Sequence, residues 1–196
     1  MNQKKRPQKR AALPYADFIR EVNGNRWREQ REDELVRRLR TAVQKETGMP
    51  EAFSLLRELI FRRLGVVLFD TQLAAARSMQ LGRIAQLPTG EGKNLAAVVT
   101  AALLALQGRR VQILVFNDYL AHRDYSANRP VYEACGLRCG YLGASEAANQ
   151  RTAVRRKAAS ACDVLYIPAK AAGFDCLRDF LLTEKEWSDP KFIDPG

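Results

Sequence analysis

With 196 residues, 46% of them apolar, the chain is long enough to bury a core and is expected to fold. No apolar run approaches the roughly 18 to 20 residues that a membrane-spanning helix needs, and the opening M-N-Q-K-K-R-P-Q-K-R leads into no signal-peptide hydrophobic region, so a soluble, cytosolic protein is expected. The formal net charge of +10 is uneven, because residues 1–40 hold twelve Lys or Arg against six acids.

In chain order, residues 1–14 form a basic arm with no large apolar side chain before Leu13, and disorder is expected there. The charge of residues 1–40 suits anionic lipid, nucleic acid or an acidic protein surface, and equally a solvated helix face laced with pairs such as Glu34 with Arg38. Residues 15–66 read as helices. Phe18, Ile19 and Val22, then Leu35, Val36, Leu39 and Val43, recur at helical spacing around a break at Asn23-Gly24-Asn25. Pro50 suits the first turn of the next helix, whose apolar stripe is Phe53, Leu56, Leu59, Ile60 and Leu64, and Gly65 is placed to close it in a left-handed conformation.

After Phe69 strands and helices alternate. Strands are expected near 84–87, 111–116, 137–142 and 163–167, and helices over 93–106, 119–134, 147–159 and 174–182. Short apolar strands separated by helices predict an α/β fold with a parallel sheet covered on both faces. The four cysteines form no C-x-x-C pair and the lone His122 is distant from them in sequence, which disfavours zinc; reduced, partly buried thiols are expected.

One stretch carries chemistry. Gln86 to Leu95 reads Q-L-P-T-G-E-G-K-N-L, so that Thr89, Gly90, Glu91, Gly92 and Lys93 fall between an expected strand and an expected helix. That is the setting of a phosphate loop, in which glycines let backbone N–H groups crowd around phosphates at a helix N-terminus while Lys reaches the terminal phosphates. Leu87 stands where such loops carry their first glycine, and Asn94 where they carry the magnesium-binding hydroxyl. An amide oxygen ligates a cation but cannot ionise, so nucleotide binding is expected to survive while Mg²⁺ sits poorly. Hydrolysis also needs an apolar strand ending in carboxylates. The only candidate, Ile113-Leu114-Val115-Phe116, meets its acid at Asp118, one residue late, with Tyr119 where Glu is wanted.

The segments L-F-D-T-Q-L at 68–73, T-G-E-G-K at 89–93, F-N-D-Y-L-A-H-R-D at 116–124, N-R-P-V-Y-E at 128–133 and G-F-D-C-L-R-D at 173–179 come in the order and spacing of the first motor domain of SecA, the preprotein translocase ATPase, which the chain resembles from about residue 15 to 185. The resemblance implies an incomplete RecA-like P-loop NTPase sheet over residues 67–196. It assigns Phe69 and Gln72, with Asp70, to the adenine, Gly90 to Lys93 to the phosphates of ATP or ADP, and Asn94 to the family's threonine. Asn117, Asp118, Arg123 and Asp124 would support the motor core, with capping and ion pairing as their simpler role. The stretch 167–172 lacks the family's polar residues.

The family continues into a D-E-x-D strand, a preprotein-binding domain and a second motor domain. Without the arginine that a second motor domain supplies in trans, an omission costing about 10³ to 10⁵ in rate in related NTPases, this chain is expected to bind ATP without turning it over, and no catalytic or metal-ligating residue is assigned. The resemblance further implies the translocation channel, anionic lipids and another SecA chain as partners, at the inner face of the cell membrane. A helicase-like, nucleic-acid-binding fragment is disfavoured because aromatics do not interleave with the basic cluster. A non-catalytic interaction remnant is the other alternative.

Overall fold

The computed structural model describes residues 14–143 and 161–182. Two compact units divide between Leu103 and Leu104, within one continuous helix. The arm at 1–13 and the expected helix at 147–159 lie outside the described residues.

The first unit is helical. α1 (Ala16–Gly24) and α2 (Glu32–Ala42) are separated at the anticipated break and bury Ile19, Val22, Leu35 and Leu39. Both pack on α3 (Met49–Leu64), which starts with Pro50 in its first turn and buries Phe53, Leu55, Leu56, Leu59 and Ile60. Gly65 ends α3 with φ 68° and its N–H bonded to the Phe61 carbonyl, the left-handed cap read from the sequence. The loop between α1 and α2 is held from two sides. Trp27 donates its indole N–H to Ser54 Oγ at 2.8 Å, with the Arg38 guanidinium 4.7 Å above its ring. Arg62 donates to the carbonyls of Trp27, Arg28 and Gln30 and pairs with Glu58 at 2.8 Å.

Two findings depart from the sequence reading. Residues 70–80 form a helix, α4 (Asp70–Gln80), rich in alanine and buried at Gln72, Leu73, Ala74, Ala75 and Ala76. The strand expected at 84–87 is absent, and Ile84 is 99% exposed. A strand exists only where a neighbour accepts its hydrogen bonds, and the described residues of the first unit contain no other strand. The chain then enters α5 (Lys93–Leu106), whose Thr100 hydroxyl bonds the Ala96 carbonyl one turn back and the Ala76 carbonyl of α4.

The second unit contains the sheet. β1 (Val111–Val115), β2 (Cys139–Tyr141) and β3 (Val164–Pro168) are all parallel in the order β1-β3-β2, with Val111 and Cys139 both opposite Val164. Helix α6 (Asp118–Ala134) packs on the face bearing Tyr166, and α7 (Ala169–Leu182) places Ala171 with Leu142, Leu165 and Ile167 on the other. The α/β class and the sheet covered on both faces follow the sequence reading. Helix α7 begins five residues before its expected start, so the stretch 167–172 forms the end of β3 and the first turn of α7. Gly140 gives β2 room, because a Cβ there would stand 2.3 Å from Cys162 Sγ. The cysteines are free thiols, Cys135 buried and Cys176 exposed, and burial, with Cys162 nearby, pushes Cys139 up to about 12.

Under the sheet the Tyr132 and Tyr166 hydroxyls lie 3.1 Å apart, and Asn128 donates to Tyr166 at 3.2 Å. Burial raises both phenols, Tyr166 from 10.0 to about 12. Since they ionise less readily folded than unfolded, their contribution to stability is intact below pH 10 and is lost as pH climbs towards 12. Tyr166→Phe strands the Asn128 amide and is expected to cost about 1–3 kcal/mol in urea unfolding at pH 7. An ultraviolet titration should then show the deprotonation step of Tyr132 moved.

Candidate nucleotide-binding site

The first unit carries an open cleft of about 720 Å³. One wall is the segment 67–72 at the start of α4; the opposite wall is Gly90, Glu91 and Gly92; Arg57 of α3 stands at the rim. The walls are joined by one side chain. Phe69 is extended (φ −83°, ψ 155°), and its N–H donates to Gln72 Oε1 at 3.0 Å in a capping arrangement that starts α4. The other end of the same carboxamide, Nε2, donates to the Glu91 carbonyl at 3.0 Å. Gln72 is only 3% exposed, so this carboxamide is a buried cross-brace between wall and loop.

The brace dictates the loop's residue types. Gly92 has φ 70°, and a Cβ on it would stand 2.2 Å from Gln72 Nε2, so both conformation and space require glycine. Gly90 has φ 90° with nothing within 4 Å of where a Cβ would stand, so backbone conformation alone selects it. The turn closes by Glu91 N–H to the Pro88 carbonyl at 3.4 Å and Leu95 N–H to the Gly92 carbonyl at 3.1 Å. Lys93 begins α5 and sends its ammonium back to the Pro88 carbonyl at 2.8 Å. Of the first N–H groups of α5, that of Leu95 is taken by Gly92, while Lys93 and Asn94 stand ahead of it with no helical carbonyl one turn earlier for theirs.

Of the nine residues singled out in sequence, Phe69, Asp70, Gln72, Gly90, Glu91 and Gly92 line this cleft together. Thr89, Lys93 and Asn94 are on the same loop and helix start, outside the lining. The sequence did not single out Arg57, which bonds Asn23 Oδ1, nor Val67 and Leu68; Asn23 in turn donates to Asp70 at 3.1 Å. Nothing in a helical stripe marks one arginine as facing a cleft.

The other motif residues lie in the second unit. Asn117 caps α6 by accepting from Leu120 N–H at 2.9 Å, and Arg123 pairs with the largely buried Asp124 at 2.7 Å. These are the capping and pairing roles anticipated as the simpler reading. Among the described residues, no helix is long and apolar enough to cross a membrane, and no group of three or more His, Cys, Asp or Glu is assembled for a metal.

Residues 15–189 match the SecA DEAD-like domain. The chain is 41% identical over 157 residues to the protein translocase subunit SecA of Syntrophomonas wolfei, covering 80% of this chain and 18% of that protein. It is 39% identical over 154 residues to SecA of Clostridium kluyveri, covering 79% and 18%. Against SecA of an Antithamnion species it is 37% identical over 141 residues, covering 72% and 16%. The chain thus spans less than a fifth of the length of these relatives.

The brace predicts a distinct pattern of losses on unfolding in urea. Gly90→Ala bears only the left-handed backbone cost of about 1–2 kcal/mol, and Gly92→Ala should lose more because of Gln72. Gln72→Ala alone strands the Phe69 N–H and the Glu91 carbonyl, yet combined with Gly92→Ala it should return part of the glycine loss, a coupling that a double-mutant cycle reads directly.

Proposed function

From the premise that this chain belongs to the SecA DEAD-like domain family, we propose that the cleft of the first unit binds ATP or ADP, as the nucleotide-holding part of a SecA-like protein translocase. The observation that carries the reading is the Gln72 brace, which ties the Phe69 backbone to the Glu91 carbonyl and so holds the 67–72 wall against the glycine loop across the cleft. Phe69 and Gln72 would hold the adenine: Gln72 has one amide hydrogen and one carbonyl lone pair uncommitted, a donor and an acceptor on one carboxamide. Gly90, Glu91, Gly92 and the first turn of α5 would hold the phosphates by backbone N–H groups, with Thr89 flanking them. Lys93 would exchange the Pro88 carbonyl for a phosphate oxygen, a charge-assisted and therefore stronger bond.

Magnesium fits this loop poorly. In such sites the ion would offset the charge of the terminal phosphates, and its protein ligand would be a hydroxyl at the position of Asn94. The longer carboxamide presents a neutral oxygen that neither ionises nor relays a proton. Asn94 is therefore assigned to contact with nucleotide and not to tight metal binding. On this reading Asn94 favours nucleotide binding over turnover, because hydrolysis of this kind draws on a magnesium held by a hydroxyl at that position.

By family membership the wider setting is protein export: the preprotein translocation channel, anionic lipid at the inner face of the membrane and a further SecA chain are the proposed partners, met from the cytoplasm. A second reading, a non-catalytic interaction module that keeps the fold, is favoured by Asn94. Nucleotide affinity separates the two.

Fluorescent ADP or ATP should bind in the micromolar to millimolar range, and Lys93→Ala should weaken it by about tenfold or more. Absence of any Lys93-dependent binding at millimolar nucleotide sinks the proposed pocket. The magnesium argument is read in the same assay: wild-type affinity for ATP should change little on adding Mg²⁺, whereas Asn94→Thr should bind more tightly with Mg²⁺ than with EDTA.

A further inference from the structure

On α3, Arg62 and Arg63 each meet a carboxylate, that of Glu58 and that of Glu32. Arg57, earlier on the same helix, is held differently. Among the described residues its guanidinium donates to the neutral amide oxygen of Asn23, in the last turn of α1. The Asn23 amide nitrogen in turn donates to Asp70 Oδ1, at the start of α4, at 3.1 Å. A carboxamide is thus interposed between a guanidinium and a carboxylate, and the charge of Arg57 is left uncancelled by a direct ion pair.

This placement bears on the charge of the cleft. Its lining holds one cationic side chain, Arg57, against two carboxylates, Asp70 and Glu91. Lys93 lies outside the lining, with its ammonium on the Pro88 carbonyl. A polyanion that enters past two carboxylates is repelled unless a fixed cation offsets them, and the low-dielectric wall of a cleft enlarges both effects. On the nucleotide reading of the cleft, on which this rests, we propose that Arg57 is the cation that admits the phosphates, kept out of an ion pair by Asn23. The planar guanidinium holds Asn23 with one N–H and retains further donors for a phosphate oxygen, which as a charged acceptor is stronger than an amide. Asn23 does not line the cleft, so it acts as a positioning residue.

The full chain is tested by competition of AMP, ADP and ATP against fluorescent ADP, in EDTA at low salt. Arg57→Gln should weaken ATP by about tenfold, ADP by less and AMP least. The spread should shrink in about 1 M salt, where screening falls to about 3 Å. Arg57→Lys, which keeps the charge, should retain most of the ATP affinity. Asn23→Asp, which draws Arg57 into an ion pair without altering the cleft lining, should reproduce the gradient from AMP to ATP. If Arg57→Gln fails to fold by circular dichroism, the Asn23→Asp gradient decides. A wild type with no Lys93-dependent binding removes the nucleotide reading and the role of Arg57 together. Wild-type binding with the variants losing nothing, or losing AMP and ATP alike, overturns the role of Arg57 alone.

Discussion

Much of the first unit's chemistry depends on a single carboxamide. Gln72 holds the first turn of α4 through its oxygen and the glycine loop through its nitrogen, so two segments nineteen residues apart behave as one surface. Without it, a segment with exposed Val67 and Phe69 and a loop with two left-handed glycines would each be free to move. Because Gln72 is almost fully buried, an unmade bond at either end carries a desolvation cost, and the brace is self-enforcing. The need for glycine at position 92 is then set by Gln72 as much as by any ligand.

Around the brace, α3 acts as the frame. Its apolar stripe anchors α1 and α2, while Arg57 reaches the cleft rim and Arg62 ties down the loop between those two helices. Most surface ion pairs of this unit contribute little alone. Arg62 differs because it satisfies three backbone carbonyls that a loop would otherwise turn to water. Of the basic excess in residues 1–40, these described helices and their loop carry little, since residues 14–40 hold seven Arg against six acids.

Legibility in the sequence followed locality. α2, α3, α6, Gly65 and the parallel strands were readable because periodicity, a cap glycine and apolar runs are local signals. The glycine loop was readable because its residue types are dictated by backbone conformation. α4 was missed: its alanines carry little periodic contrast, and the capping that starts it comes from Gln72 reaching back to Phe69. Residues 84–87 failed in the opposite sense, since Ile84-Ala85-Gln86-Leu87 has the composition of a strand but no described neighbour in its unit with which to pair. Arg57 and the Asn23–Asp70 contact depend on packing between α1, α3 and α4, which no short window contains.

The bond from Lys93 to the Pro88 carbonyl bears on the thermodynamics of the loop at rest. The ammonium already has an internal acceptor, so the proposed phosphate would replace one oxygen with another and would not have to organise a wandering cation. Much of the ordering entropy has been lost before any ligand arrives. Binding of the proposed phosphate would then have the character of an exchange of acceptors: its heat would be the difference between two similar bonds, and its drive would come from water released by the anion and the cleft.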